Sequence, residues 1–320
     1  MKGILLLKQA TRMTLQQMEY IVAVDKYRHF VRAAEACGVT QSTLSSMIQK
    51  LETELDMLIF DRNSHPVRPT AQGENVIRQA QVILYNVAQM KEMVLSERMQ
   101  ESGELHLGVI PTIAPYIIPK LIRHMHSHYP HVQLRLLEAR TAVLVEKLER
   151  AEIDVALLST PLDNPKLLEI PIYYEKFKLY ISPEEKLFTQ QEIDEADLVT
   201  DKLWILAEGH CLRNQVLNFC HRKSRYSSIY EAGSIDTLVK IVDENGGYTI
   251  IPELHTALLS PQQQERVHHF RQPEPVREVS LVVRNDYIRE RMLNLLSDSI
   301  RSIIPDDLIN SRLKKFAIKL

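Results

Sequence analysis

Two of the three cysteines in this 320-residue chain stand nine residues apart, in the run Glu208-Gly209-His210-Cys211-Leu212-Arg213-Asn214-Gln215-Val216-Leu217-Asn218-Phe219-Cys220. The spacing suits neither a CxxC redox pair nor a structural zinc site, which needs four ligands. What the neighbouring residues offer is ionisation of a thiol. Gly209 reads as a turn ahead of a helix, so the Cys211 sulfur would meet unpaired backbone N–H groups and the positive end of the helix dipole. His210 and Arg213 can add donors or positive charge. Each influence favours thiolate, the form that peroxide oxidises. Two ordinary core cysteines on a short helix would give the same residues, and the run by itself leaves both readings open. If one helix carries both, nine residues make about 2.5 turns and set them roughly 13 Å apart along the axis. A disulfide needs Cα atoms about 4.4–6.8 Å apart, so bonding would require the helix to break. Cys37, among small apolar residues, reads as a core thiol.

A second chemistry lies near the N-terminus. Gln41, Ser42, Thr43 and Ser45 present short polar side chains at the start of a helix whose Leu44, Ile48, Leu51 and Leu55 share the opposite face. Such a helix suits a DNA major groove, where Gln can pair with adenine and Ser or Thr can reach bases or phosphates. Lys50, Arg62 and Arg68 are placed to meet phosphates. A small helical bundle with a polar surface would look alike, so spacing alone does not decide.

The elements that position these residues are legible in outline. Leu15, Met18, Ile21 and Val22 recur at helical spacing; Phe30, Ala33 and Ala34 suggest a short second helix stopped by Gly38, with Thr40 as N-cap of the third. Residues 62–70 read as a turn or wing, and 71–96 as one long helix. From Gly103 the texture changes. Alternating Leu105, Leu107 and Val109, a helix to Tyr129, alternating Val132, Leu134 and Leu136, a helix over 141–150 and the apolar run 155–158 make a βαβαβ rhythm, hence a parallel sheet with covering helices. Strand-like segments at 177–181, 203–206, 248–251 and 279–283, with helices near 211–221 and 235–244, extend this into a second α/β subdomain. Composition agrees with a folded chain: 45% hydrophobic, 25% charged, formal net charge -2. With no net basic charge, any DNA contact must rest on local placement. No apolar run reaches the ~18 residues of a membrane span, so the expectation is a cytoplasmic protein with reduced thiols. Met13 opens a better helical pattern than Met1, so residues 1–12 read as an upstream extension.

Residues 15–73 resemble the LysR-type winged helix-turn-helix: Met18-Glu19-Tyr20-Ile21, Phe30 with Ala33-Ala34, Val39-Thr40-Gln41-Ser42-Thr43-Leu44-Ser45, Lys50-Leu51-Glu52 with Glu54-Leu55, then Phe60 and Arg62. Asp56 departs from the usual Gly after Glu-Leu, and Ala71-Gln72-Gly73 from the usual Ala-Gly. The stretch Gly209 to Cys220 resembles the OxyR peroxide sensors within that family. The resemblance continues through Ile110-Pro111-Thr112, Pro115-Tyr116, Glu138-Ala139, Cys37 with Val39, and Pro273-Glu274-Pro275. Ile229, Tyr230 and Asn245-Gly246-Gly247 depart from it.

The resemblance implies an α/β fold with an N-terminal winged helix-turn-helix at 13–70 and a linker helix for dimerisation at 71–100. An effector domain at 101–320 follows, with two Rossmann-like subdomains of the periplasmic-binding-protein kind, about 104–174 with 276–305, and about 175–275. It implies a peroxide-sensing regulator of oxidative-stress genes, with Cys211 peroxidatic and Cys220 resolving through an intramolecular disulfide. Thr112, Thr141, His210 and Arg213 would line or support the peroxide pocket, with Asp154 linked to it. The expected partners are promoter DNA, hydrogen peroxide, RNA polymerase and three further copies in a homotetramer; no cofactor, metal or membrane is expected. A regulator gated by a small metabolite between the subdomains is the competing reading. A thiol peroxidase would carry no DNA-reading helix, so enzymatic turnover is not expected.

Overall fold

The computed structural model describes residues 13–96, 102–198, 202–219, 232–309 and 318–319. These fall into two compact units, one made of the first 98 residues together with Glu149–Ala151 and one formed by the rest.

The first unit holds helices α1 (Leu15–Tyr27), α2 (Phe30–Ala36), α3 (Gln41–Glu54) and α4 (Ala71–Ser96), with a two-stranded wing of β1 (Phe60–Asp61) and antiparallel β2 (Arg68–Pro69). Thr14 and Gln17 close a capping box at α1, and Thr40 Oγ1 accepts the Thr43 amide at 3.2 Å to start α3. Gly38, at φ +68°, ends the preceding turn where a side chain would be strained. Ile21, Val24, Leu44, Ile48, Leu51 and Phe60 form the core. The departure at Asp56 proves harmless: it adopts φ +51°, a left-handed conformation that Asp tolerates better than most residues. The turn is closed from within the core, because the buried Glu52 carboxylate accepts the amides of Ile59 (2.8 Å) and Phe60 (3.2 Å). Gly73 is needed where it stands, since a Cβ there would sit 2.0 Å from the Ile59 carbonyl oxygen.

The second unit is a mixed α/β body. Strands β3 (Gly103–Val109), β4 (Val132–Glu138) and β5 (Val155–Thr160) are parallel, with β3 between the other two. Helices α5 (Ala114–His128) and α6 (Thr141–Glu149) make the crossovers. Two long strands, β6 (Leu167–Ile181) and β11 (Pro275–Arg284), pair antiparallel through a bulge at Val279/Ser280 and carry the sheet onward. One core gathers β3–β5 with α5, α6 and α10 (Glu290–Arg301). The other gathers the far half of β6 with β7 (Glu192–Ile193), β8 (Leu203–Trp204), β9 (Tyr248–Pro252), β10 (Val267–Phe270), α7 (Cys211–Phe219) and α8 (Ile235–Asn245), while the short α9 (Pro261–Gln264) leads into β10. The expected strand at 177–181 is thus the end of a 15-residue strand, and that at 203–206 is shorter than expected. Among the described residues no helix is long and apolar enough to cross a membrane.

Candidate functional site

Cys211 is the first residue of α7, directly after Gly209 (φ +91°) and the buried His210. The glycine has two reasons to be there: its backbone is left-handed, and a Cβ would lie 3.1 Å from the Arg140 side chain. The carboxyl ends of two parallel strands deliver the facing groups, the place where open α/β sheets bind ligands. Thr112 follows β3, and Thr141 opens α6 after β4. Both hydroxyls and the Leu212 amide favour an ionised Cys211. Thr112 Oγ1 already accepts from Arg277 at 3.0 Å, so its own proton is free to point elsewhere. Thr141 Oγ1 is buried and makes no full hydrogen bond to protein.

Beneath them lies a group that spacing did not reveal. Arg277, on β11, and Glu175, on β6, form an ion pair with both side chains wholly buried. Arg277 Nε and Nη2 donate to Glu175 Oε2 at 2.9 and 2.8 Å. The remaining guanidinium protons reach Thr112 and the Tyr116 hydroxyl (2.6 Å), which in turn donates to Glu175 at 3.0 Å. Burial works against charge on Arg277, but Glu175, Tyr116, Tyr173 and Cys211 more than offset it and its pKa is raised. A fixed cation therefore stands near the sulfur. Nothing in the local sequence distinguishes Arg277 and Glu175 from the other charged residues of the same two strands, Glu169, Lys176, Lys178, Glu278 and Arg284.

The geometry corrects the expected electrostatics. Burial pushes the Cys211 thiol up, and Arg277, Thr141, the Leu212 amide and Thr112 only partly reverse this. His210 supplies no charge, because burial and Arg140 lower its pKa. Arg213 donates to the Leu206 carbonyl at 2.8 Å, bracing the start of α7. Asp154 stands apart: it precedes β5 at the opposite end of the parallel strands, accepting the His106 amide at 2.7 Å. Cys220 falls outside the described residues, as do Ile229 and Tyr230. Cys37 is half-buried at the edge of the first unit's core rather than inside it.

In the first unit Gln41, Ser42 and Thr43 are exposed on the first turn of α3, with Ser45 half-exposed and Lys50 exposed further along. Arg68 is exposed on the wing. Arg62 is less free than expected: it bonds Glu52 at 2.9 Å, lies 3.5 Å from Ser45 Oγ and covers the Phe30 ring.

Comparison with known proteins agrees with both halves. Residues 15–74 match the family described as bacterial regulatory helix-turn-helix protein, lysR family, and residues 98–303 match the LysR substrate binding domain. A hydrogen peroxide-inducible genes activator of Haemophilus influenzae is 35% identical, covering 91% of this chain and 99% of that protein. The HTH-type transcriptional regulator EstR of Acinetobacter baylyi is 34% identical over 91% of this chain and 97% of its own. Among solved structures, a full-length OxyR variant from Pseudomonas aeruginosa superposes with a TM-score of 0.75 at 34% identity, covering 91% of this chain and 98% of that one. The chain belongs to the LysR family of helix-turn-helix transcriptional regulators, in its OxyR branch.

Proposed function

We propose that this protein is a hydrogen-peroxide-sensing transcriptional regulator, switched by an intramolecular disulfide between Cys211 and Cys220. The observation that carries the reading is the setting of Cys211: a helix-start sulfur facing two threonine hydroxyls, with a buried guanidinium alongside. Relatives named as hydrogen peroxide-inducible activators span nearly the whole chain and support the same reading. In the first step the Cys211 thiolate attacks one peroxide oxygen. An S–O bond forms, the O–O bond breaks, and the departing hydroxide takes up a proton to leave as water. Thr112 and Thr141 are suited to hold the peroxide oxygens by hydrogen bonds, and Arg277 stabilises negative charge in that pocket. The Cys220 thiolate then attacks the Cys211 sulfur; the S–S bond forms, the S–O bond breaks, and the departing hydroxide takes up a proton to leave as a second water.

An unbroken helix from Cys211 to Phe219 separates its ends by about 12 Å along the axis, well beyond the about 4.4–6.8 Å between Cα atoms that a disulfide spans. Joining Cys211 to the cysteine that follows Phe219 therefore requires α7 to unwind, and the bond traps the unwound state. Gln41, Ser42, Thr43 and Ser45 read the operator, Lys50 and Arg68 anchor phosphates, and RNA polymerase and a homotetramer complete the partners. Alkylation with mass spectrometry, with and without peroxide, tests the switch. Cys220→Ser should accumulate sulfenic acid at residue 211, and Cys211→Ser should be blind to peroxide.

The match of residues 98–303 to the LysR substrate binding domain favours a second reading, a small metabolite as the signal. A Cys211→Ser protein that still responds in full to its inducing condition would establish that reading instead.

A further inference from the structure

The turn Glu253–Leu258, which follows β9, is tied by its backbone to the ion pair beneath Cys211. The Leu254 amide donates to Glu175 Oε1 at 2.9 Å, while Arg277 takes Oε2. The Leu254 side chain packs against the core around β3–β5, and the Glu253 carboxylate lies 3.2 Å from Lys178 Nζ. Where this turn stands therefore helps to set the Glu175–Arg277 pair.

Within the turn His255 is 1% exposed, and neither ring nitrogen has a hydrogen-bond partner among the described residues. A neutral imidazole so placed buries one unpaired N–H; a charged one would bury two. The carboxylate facing it is Asp236, in the first turn of α8, 3.6 Å from Nε2 and beyond hydrogen-bond reach. Arg277, on β11, opposes a second positive charge. The other charged or titratable groups around the turn are engaged elsewhere. Glu175 holds Arg277 and the Leu254 amide, Lys178 meets Glu253, Glu274 and His269, and Tyr116 on α5 donates to Glu175. Burial, reinforced by Arg277, outweighs the pull of Asp236, so the pKa of His255 is lowered and the ring is uncharged at neutral pH. An unpaired buried charge is too costly to keep. Protonation must move the ring toward water, and the ring carries the turn with it.

We propose that His255 is an acid-sensitive positioning residue for Cys211: uncharged, it seats the turn that holds Leu254 on the Glu175–Arg277 pair, and when it charges the turn lifts and Cys211 loses reactivity. The proposal rests on the peroxide reaction described above. Its effect adds to that of the thiol. Below the thiol pKa the thiolate fraction falls about tenfold per pH unit; once His255 also charges, the rate falls more steeply. Stability follows the same sign. A histidine whose pKa is lowered by folding leaves stability whole above its ordinary value of about 6.5 and erodes it as pH falls below that value.

Two measurements on the full-length chain test this. The first is the rate of sulfenic acid formation at Cys211 in Cys220→Ser protein, with and without His255→Leu, from about pH 5 to 8. The parent should bend below about pH 6 to a slope steeper than tenfold per unit, whereas His255→Leu should hold about tenfold throughout. His255→Gln, which also cannot charge, should give the same unbent profile. Asp236→Asn, at an exposed position, removes the group that favours the charged ring and should move the bend to lower pH. The second measurement is urea unfolding followed by the fluorescence of Trp204, the single tryptophan, on β8. Leucine removes no hydrogen bond at this site, so His255→Leu should be no less stable than the parent at neutral pH. Between about pH 7.5 and 5.5 the unfolding constant of the parent should rise about fivefold or more relative to that of the variant. If no sulfenic acid forms at any pH, the peroxide reading falls, and the unfolding comparison alone decides whether His255 is the acid-sensitive group. Equal slopes in the parent and His255→Leu profiles, or unfolding constants in a fixed ratio across that range, would each overturn the proposal.

Discussion

At the scale of single residues, the sulfur of Cys211 is pulled two ways, and the direction of the balance has a measurable consequence. Burial raises its pKa more than Arg277, the two threonines and the Leu212 amide lower it. The reactive thiolate is therefore the minor form at neutral pH, and its fraction grows as pH rises through the thiol pKa. In Cys220→Ser protein the rate of sulfenic acid formation should climb steadily between about pH 6 and 9, a window that lies below the raised thiol pKa. A flat profile across that window would mean a thiol already ionised. Arg277→Gln removes the fixed cation and leaves Glu175 buried without its partner. It should slow sulfenylation at every pH in that window and destabilise the effector unit by about 3–5 kcal/mol, read by urea unfolding.

At the scale of elements, α3 and α7 each make a separable prediction. Gln41 is exposed at the start of α3 and free to read a base, so Gln41→Ala should lose about 1–3 kcal/mol of discrimination at one base pair, measured by competition binding with operator variants. Arg68, exposed on the wing, should when replaced by Ala weaken all sequences alike and reduce the salt slope by about 1. Arg62 will not behave so simply: its bond to the buried Glu52 means that Arg62→Ala also loosens the turn into the wing, lowering the unfolding temperature of the DNA-binding unit. In α7, Gln215 is buried and donates to Ser159 Oγ on β5 at 3.0 Å, holding the helix against the sheet. Such a bond contributes about 1 kcal/mol net. Gln215→Ala should therefore ease unwinding and speed disulfide closure after sulfenylation roughly fivefold, seen by quenched alkylation. An unchanged closure rate would show that α7 opens without releasing this contact.

At the scale of the whole molecule, the proposal of a tetramer has a physical motive. One helix-turn-helix makes too few contacts for specific affinity, and paired half-sites need paired readers. The second unit offers a surface for self-association. Among the described residues its edge strand β4 leaves one side unpaired, and Ile122 on the adjoining α5 is exposed. Light scattering at working concentration should give four chains per particle, and Ile122→Asp should lower that number; a monomeric wild-type protein would sink the assembly.

Much of this protein is written locally. The 71–96 helix, the capped start of α3 at Thr40, the strand at Leu105–Val109 and the helix start at Cys211 follow from periodicity, cap residues and glycine placement, all of which act over a few residues. The turn at Asp56 did not follow, because the carboxylate that secures it, Glu52, lies in the middle of the preceding helix and reaches forward to Ile59 and Phe60. The surroundings of Cys211 followed only in part. Local chemistry singled out Cys211 and the family resemblance supplied Thr112 and Thr141, but the charge beside them comes from Arg277, 66 residues beyond Cys211, held in place by Glu175 on another strand. The same distance effect reversed the expected balance at the sulfur. A helix dipole and neighbouring cations are visible in sequence, whereas the desolvation that outweighs them exists only once β3, β4 and β11 have closed around the thiol.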